Sequence, residues 1–275
     1  MDHCRSGAKP FIMYKFLFTA AFLFFFLLFA AAQDVLPPGL LWDDASYDAL
    51  PPYSVRERVG TDREKSLLSY CPKAGNQCDQ NSCVAWAISY AMTIRLAIQC
   101  RKTDQLWITD HFFSPAFIYN QAKAAVPCDT GAYLKKALEL VSVQGVCFER
   151  SFPYECQNCT KMPGSPQRQE ASLYKITAAQ RLFRSNESDK NKIDSTLTAL
   201  SNDNPVLVAL KDPVDTTAGH ALVVIGYDEN AKTFTLLNSY GEGWGSSGCF
   251  KLSFAEFARR ARYGILLSMG RVKCR

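Results

Sequence analysis

Residues 83–100, CVAWAISYAMTIRLAIQC, carry a single charge, Arg95, and apolar side chains fall on nearly every side of the helix they would form. Such a helix is buried almost all round, so the fold has to supply packing partners on several of its faces. Ser82 stands at its N-cap position and puts Cys83 in the first turn. Ser114-Pro115, a cap followed by proline, starts a second helix running to about Ala125, and a third follows Gly131 and ends at Gly145. After about Asn186 the texture changes. A polar helix from Ser188 or Asp189 to about Leu200 gives way to strand-like runs at Val206–Leu210, Ala221–Tyr227, Thr233–Leu237, Cys249–Leu252 and Ile265–Met269. Between the last two, Ser253 and Glu256 outline a capping box for a short helix. Helices first and an antiparallel sheet second define an α+β class with two lobes, and the cleft between them is the default ligand site.

Composition limits the partners. The formal charge is +5, but Arg5, Lys9 and Lys15 against Asp2 lie in the first 32 residues, so the remainder carries only +3, too weak and dispersed for nucleic acid. Phe16–Ala32 is uncharged and apolar, with lysines before it and Ala30-Ala31-Ala32 at its end, which reads as a secretory signal peptide over residues 1–32; a retained N-terminal membrane anchor is the competing reading. Residues 33–70, with Pro37-Pro38-Gly39 and Pro51-Pro52, read as an extended lead-in to a domain spanning 71–275. That domain divides into a helical part over about 80–185 and a β part over about 186–275. Of the 11 cysteines only Cys4 falls in the leader region, as suits an exported protein with disulfides. Cys156-x-x-Cys159 has no second C-x-x-C and lies in a loop, so a structural disulfide is expected there rather than zinc. Asn158-Cys159-Thr160 and Asn186-Glu187-Ser188 fit glycosylation acceptors.

Any mechanism that needs histidine has few residues to use. His3 lies in or before the leader, and His111 sits among Trp107, Ile108, Phe112 and Phe113 as a packing residue. His220 opens the strand after Gly219, a better position from which to reach a cleft. A thiol at a helix start, such as Cys83, gains from the unpaired N–H groups there, and a facing imidazolium lowers its pKa further, which gives a charged pair before substrate arrives.

Three segments, Gln77-Cys78-Asp79-Gln80-Asn81-Ser82-Cys83-Val84-Ala85-Trp86, Gly219-His220-Ala221 and Asn238-Ser239-Tyr240-Gly241-Glu242-Gly243-Trp244-Gly245, resemble the papain-like cysteine peptidases over about residues 70–270. The resemblance implies the papain-like two-lobed fold, a helical left lobe and an antiparallel β-barrel-like right lobe. It makes Cys83 the nucleophile, His220 the base and later the acid, and Asn238 the residue that orients the imidazole. Gln77 would form the oxyanion hole with the Cys83 N–H, and Trp244 would shield the Asn–His contact from water. Gly131 and Gly219 would line the substrate cleft, and Ser151-Phe152-Pro153-Tyr154-Glu155 looks like the family's Tyr-Pro-Tyr-type loop.

The sequence also departs from the pattern. Val84 replaces the aromatic that usually follows the nucleophile, Gln80 stands where a cysteine is usual, and Tyr240 where tryptophan is. Cys128 therefore needs another partner, with Cys78 the nearest candidate in sequence. The implied function is an exported endopeptidase acting on peptide or protein substrates, without metal or organic cofactor, and touching a membrane only if the N-terminal segment is retained. A non-catalytic peptide-binding member, an exopeptidase and a transglutaminase-like acyl transferase are the alternatives. Roughly 50 residues separate Ala32 from Cys83, too few for a mature N-terminal segment and a long helical propeptide together, so the restraint on activity is left open.

Overall fold

The computed structural model describes residues 39–54, 57, 58, 60, 62–213, 217 and 219–274. The leader over residues 1–32 and the prolines Pro37 and Pro38 lie outside the described residues. In chain order the N-terminal part holds β1 (Leu40–Leu41), α1 (Asp44–Asp48), β2 (Glu64–Ser66) and the buried helix α2 (Cys83–Gln99). Then come α3 (Gln105–Asp110), α4 (Pro115–Ala122), β3 (Ala132–Tyr133), α5 (Leu134–Val143) and α6 (Ser165–Ala171). The C-terminal part runs β4 (Ile176–Arg181), α7 (Asp189–Ser201), β5 (Val206–Lys211), β6 (Gly219–Asp228), β7 (Thr233–Leu237), β8 (Cys249–Ser253), α8 (Phe254–Arg260) and β9 (Ala261–Met269).

The all-round apolar surface of α2 finds the partners it requires. It packs on β6, β5 and β9 on one side and on α4 and α5 on the other, and 14 of its residues are buried. Local signals set the neighbouring helices. The Ser114 hydroxyl accepts from the Phe117 N–H at 3.0 Å with Pro115 in the first turn, and α4 stops at Ala122, three residues before the expected end. Helix α5 ends as expected at Gly145, whose φ of +82° suits glycine; a Cβ there would also strike the Ala171 carbonyl. Ser188 caps α7 and Ser253 caps α8 through their hydroxyls.

Among the described strands the sheet is antiparallel except for the β1–β3 pair. Its order is β3-β1-β6-β5-β9-β4, with β2 on β6 and a β6-β7-β8 branch. Strand β6, buried at nine of its ten positions, is the hub: Val208 pairs with Leu222 on one flank and Val223 with Leu237 on the other. The curled sheet beside a helical layer is the mixed α+β, two-lobed arrangement that the element order implies. Several elements carry no strong sequence signal: β4, β3, α3, α6, and the β1–α1 segment, where an extended lead-in is expected. Among the described residues no helix is long and apolar enough to cross a membrane.

Among the described residues three disulfides form: Cys78–Cys156, Cys128–Cys159 and Cys100–Cys274. Cys128 therefore pairs with Cys159 and not with Cys78, because Cys78 lies on the loop before α2, opposite Cys156, while α4 and its following loop bring Cys128 to Cys159. Cys71, Cys83, Cys147 and Cys249 are free and buried.

Candidate active site

Cys83 is the first residue of α2, and its side chain is fully buried. Ser82 occupies the N-cap position, but its side chain makes no capping bond. Its hydroxyl lies 2.7 Å from the Tyr154 hydroxyl instead. His220 is the second residue of β6, also buried, and its Nε2 lies 2.8 Å from Asn238 Oδ1. A carboxamide oxygen accepts, so Nε2 is the protonated donor of this pair and Nδ1 is the other ring nitrogen. The same Oδ1 accepts the Ser239 N–H at 2.8 Å, which fixes the amide orientation, and Asn238 follows directly on β7, the ladder neighbour of β6. The sheet register is thus what holds the His–Asn pair.

Gln77 is buried on the loop ahead of Cys83. Its Oε1 accepts from the Ser239 hydroxyl at 2.6 Å, its Nε2 donates to the Gln80 carbonyl at 2.9 Å, and its backbone N–H donates to the Ser239 carbonyl at 2.8 Å. Among the described residues Nε2 makes that one bond, and its second amide hydrogen is uncommitted. The Tyr240 ring lies 5.2 Å from the His220 ring, and Trp244 meets Tyr240 edge-on at 5.5 Å, so Tyr240 is the aromatic directly beside the imidazole and Trp244 backs it.

The cleft is occupied. Strand β1 runs through it, pairing in parallel with β3 (Leu40 with Ala132, Leu41 with Tyr133) and in antiparallel fashion with Gly219 of β6. The Gly39 carbonyl accepts the Ala132 N–H at 2.9 Å. Gly39 lies so close to the thiol that a Cβ there would sit 2.8 Å from Cys83 Sγ. Gly131 and Gly219 both lie against this segment: a Cβ on Gly131 would sit 2.8 Å from the Gly39 carbonyl oxygen, and one on Gly219 would run into Leu40 and Trp42. Leu40 is buried, and Trp42 packs edge-on against Tyr263 and under the Arg262 guanidinium.

This occupant changes the thiol. Burial pushes the Cys83 thiol up to about 12, although the backbone amides of Ala221, Val84, Gly39 and Cys83 itself pull the other way. The sequence points to a depressed pKa instead; the difference is the desolvation of a cleft filled by the chain's own backbone. The occupant gives no composition or period signal, since two residues of strand are defined only by distant partners. Among the described residues no group of three or more His, Cys, Asp or Glu side chains could hold a metal ion.

Comparison with known proteins agrees with this geometry. The Peptidase_C39 like family model matches residues 149–264, the stretch that carries His220 and Asn238. An uncharacterized peptidase C1-like protein of Acanthamoeba polyphaga mimivirus is 24% identical over 216 residues, covering 68% of this chain and 67% of its own. Among solved structures, xylellain, a cysteine protease from Xylella fastidiosa, superposes with a TM-score of 0.71 at 19% identity, over 88% of this chain and 100% of that one. Digestive procathepsin L 3 of Tenebrio molitor larval midgut gives 0.62 at 17% identity over 80% and 74%. A Carica candamarcensis cysteine protease in complex with E-64 gives 0.58 at 16% over 76% and 100%. The chain thus has the two-lobed α+β fold of papain-like cysteine proteases such as xylellain.

Proposed function

We propose that the protein is an exported cysteine endopeptidase in which Cys83 is the nucleophile, His220 the base and acid, Asn238 the orienting residue and Gln77 an oxyanion donor, and that Gly39–Trp42 holds it latent. The observation that carries this reading is the 2.8 Å His220–Asn238 bond on the sheet wall of the cleft whose other wall presents Cys83 at a helix start.

In an open cleft the Cys83 proton passes to His220, and the thiolate attacks the substrate carbonyl carbon. Gln77 Nε2 and the Cys83 N–H receive the developing oxyanion. The C–N bond breaks as His220 returns its proton to the leaving amine, and a water deprotonated by His220 then hydrolyses the thioester. Trp244, behind Tyr240, limits water around the orienting bond. Peptides or proteins are the substrates, and the disulfides suit an extracellular or vacuolar setting.

Latency follows from what Gly39 offers the thiol. Its N–H points toward the sulfur, while its carbonyl is bonded to the opposite wall through Ala132, so no carbonyl carbon is presented for attack. The segment also runs parallel to β3, and removing it re-solvates the thiol and lowers its pKa.

A peptidyl epoxide with mass mapping tests both parts, on wild type, Cys83→Ala, His220→Ala and a Leu40→Asp/Trp42→Asp variant. The expected result is label on Cys83 only, lost without His220 and faster when the segment is loosened. Equal labelling with and without His220 would overturn the catalytic assignment. Labelling unaffected by the segment variant would overturn latency.

A further inference from the structure

We propose that Tyr154 is a positioning residue for the site: its hydroxyl ties the Gln77 carbonyl to the Ser82 side chain, which sets the oxyanion donor against the nucleophile. The inference rests on the roles proposed above for Gln77 and Cys83.

The Tyr154 O–H donates to the Gln77 carbonyl at 2.8 Å. Its oxygen is then free to accept, so the Ser82 hydroxyl donates to it across 2.7 Å. One phenol therefore bridges the residue that carries the uncommitted amide hydrogen and the residue that precedes the thiol. Ser82 is not in the extended conformation of a capping serine: its φ of −103° and ψ of 11° keep the side chain from the helix N–H groups, so its hydroxyl is available to Tyr154.

Tyr154 is itself held from two directions. Its backbone N–H donates to Glu149 Oε1 at 2.7 Å, and its ring meets Trp86 edge-on at 5.0 Å. The loop that bears it is joined to the Gln77–Ser82 loop by the Cys78–Cys156 disulfide and by a Gln80 Nε2 bond to the Glu155 carbonyl at 2.6 Å. Those ties stay when only the hydroxyl is removed, so Tyr154→Phe is expected to fold.

The test uses the full chain with Leu40→Asp/Trp42→Asp to open the cleft, and compares peptide turnover, peptide-aldehyde affinity and Cys83 alkylation by iodoacetamide with and without Tyr154→Phe. Tyr119 and Tyr154 are phenols within electrostatic reach of the thiol, so Tyr119→Phe serves as the control for simple loss of a phenol. Tyr154→Phe should lower kcat about tenfold with KM within twofold and weaken the aldehyde, whose hemithioacetal oxygen needs the oxyanion donors, while alkylation, which needs only the thiolate, stays within twofold. An unchanged kcat and aldehyde affinity, or an alkylation rate that falls along with them, would overturn the proposal. If the opened chain turned over no peptide, the assignment of function would fail while aldehyde affinity still decided this inference.

Discussion

On the helical wall of the cleft, Gln77 and Cys83 sit at the two ends of an irregular loop, and that loop is bound by a disulfide, a glutamine side chain and a tyrosine hydroxyl to the 154–156 segment. On the sheet wall, His220 and Asn238 lie on or directly after neighbouring strands, and the β5-β6-β7 ladder holds them with no disulfide closing within that part among the described residues. Backbone hydrogen bonds place a residue within a sheet; a loop that lacks them needs cross-links and side-chain ties to reach comparable definition. Both walls have to be fixed, because a displacement of about 1 Å at a reacting group costs on the order of 10²-fold in rate.

The largest expected effect treats the two walls alike. In the Leu40→Asp/Trp42→Asp background that opens the cleft, Cys83→Ser and His220→Ala should each remove peptide cleavage by on the order of 10⁴-fold or more, with unfolding curves close to that of the background. A variant on one wall that kept substantial turnover would show that the walls do not act as one unit.

Next in size, the cross-links should matter on the helical side. Closing a loop of 31 residues, Cys128–Cys159 is expected to contribute about 3–4 kcal/mol, so replacing both cysteines by serine should lower the denaturant midpoint and loosen the wall near Gly131 first. Amide exchange would locate the change; protection lost equally on β5 and β6 would break the contrast between the walls.

Glu149 provides a pH signature of the same wall. Burial pushes its carboxyl up to about 7, above its unfolded value of 4.5. The folded state therefore holds the proton more tightly, and stability falls as pH rises from about 4.5 through 7, by about 3 kcal/mol once the group is ionised. Glu149→Gln, which keeps an oxygen for the Tyr154 N–H, should remove most of that slope in urea titrations at pH 5 and 8. The smallest effect belongs to the sheet side: Ser253→Ala, which deletes the cap of α8, should cost about 1 kcal/mol and leave turnover unchanged.

The same contrast decides what could be read from the chain alone. Strand β7 has its expected ends, Thr233–Leu237, and α2 runs over nearly the full apolar stretch, because periodicity and burial are properties of contiguous residues. Strand β4, ITAAQR, escapes notice because it is an edge strand pairing with β9 alone in the ladder, so most of its side chains need not be apolar. The Cys128–Cys159 pairing is invisible to spacing, since it depends on how α4 and the loops after it turn. Cys83, His220, Asn238 and Gln77 were legible as a family pattern, and the structure brings them to one cleft. Tyr154 was legible only as part of a loop of familiar type. Its bridging role rests on two oxygens, at Gln77 and Ser82, that sequence distance does not connect.

The occupant of the cleft is also part of the same polypeptide. Directly beyond Trp42, the Asp43 N–H is bonded to the Tyr263 hydroxyl at 2.9 Å, and the Asp44 carboxylate is paired with Arg262. A blocker anchored this near its site acts at an effective concentration in the millimolar range, whatever the concentration of the protein itself. Dilution would not relieve it, and a competing peptide of ordinary affinity would displace it only slowly. Release would then follow first-order kinetics, at a rate set by opening of the tether or by scission of the chain between Trp42 and the body of the fold.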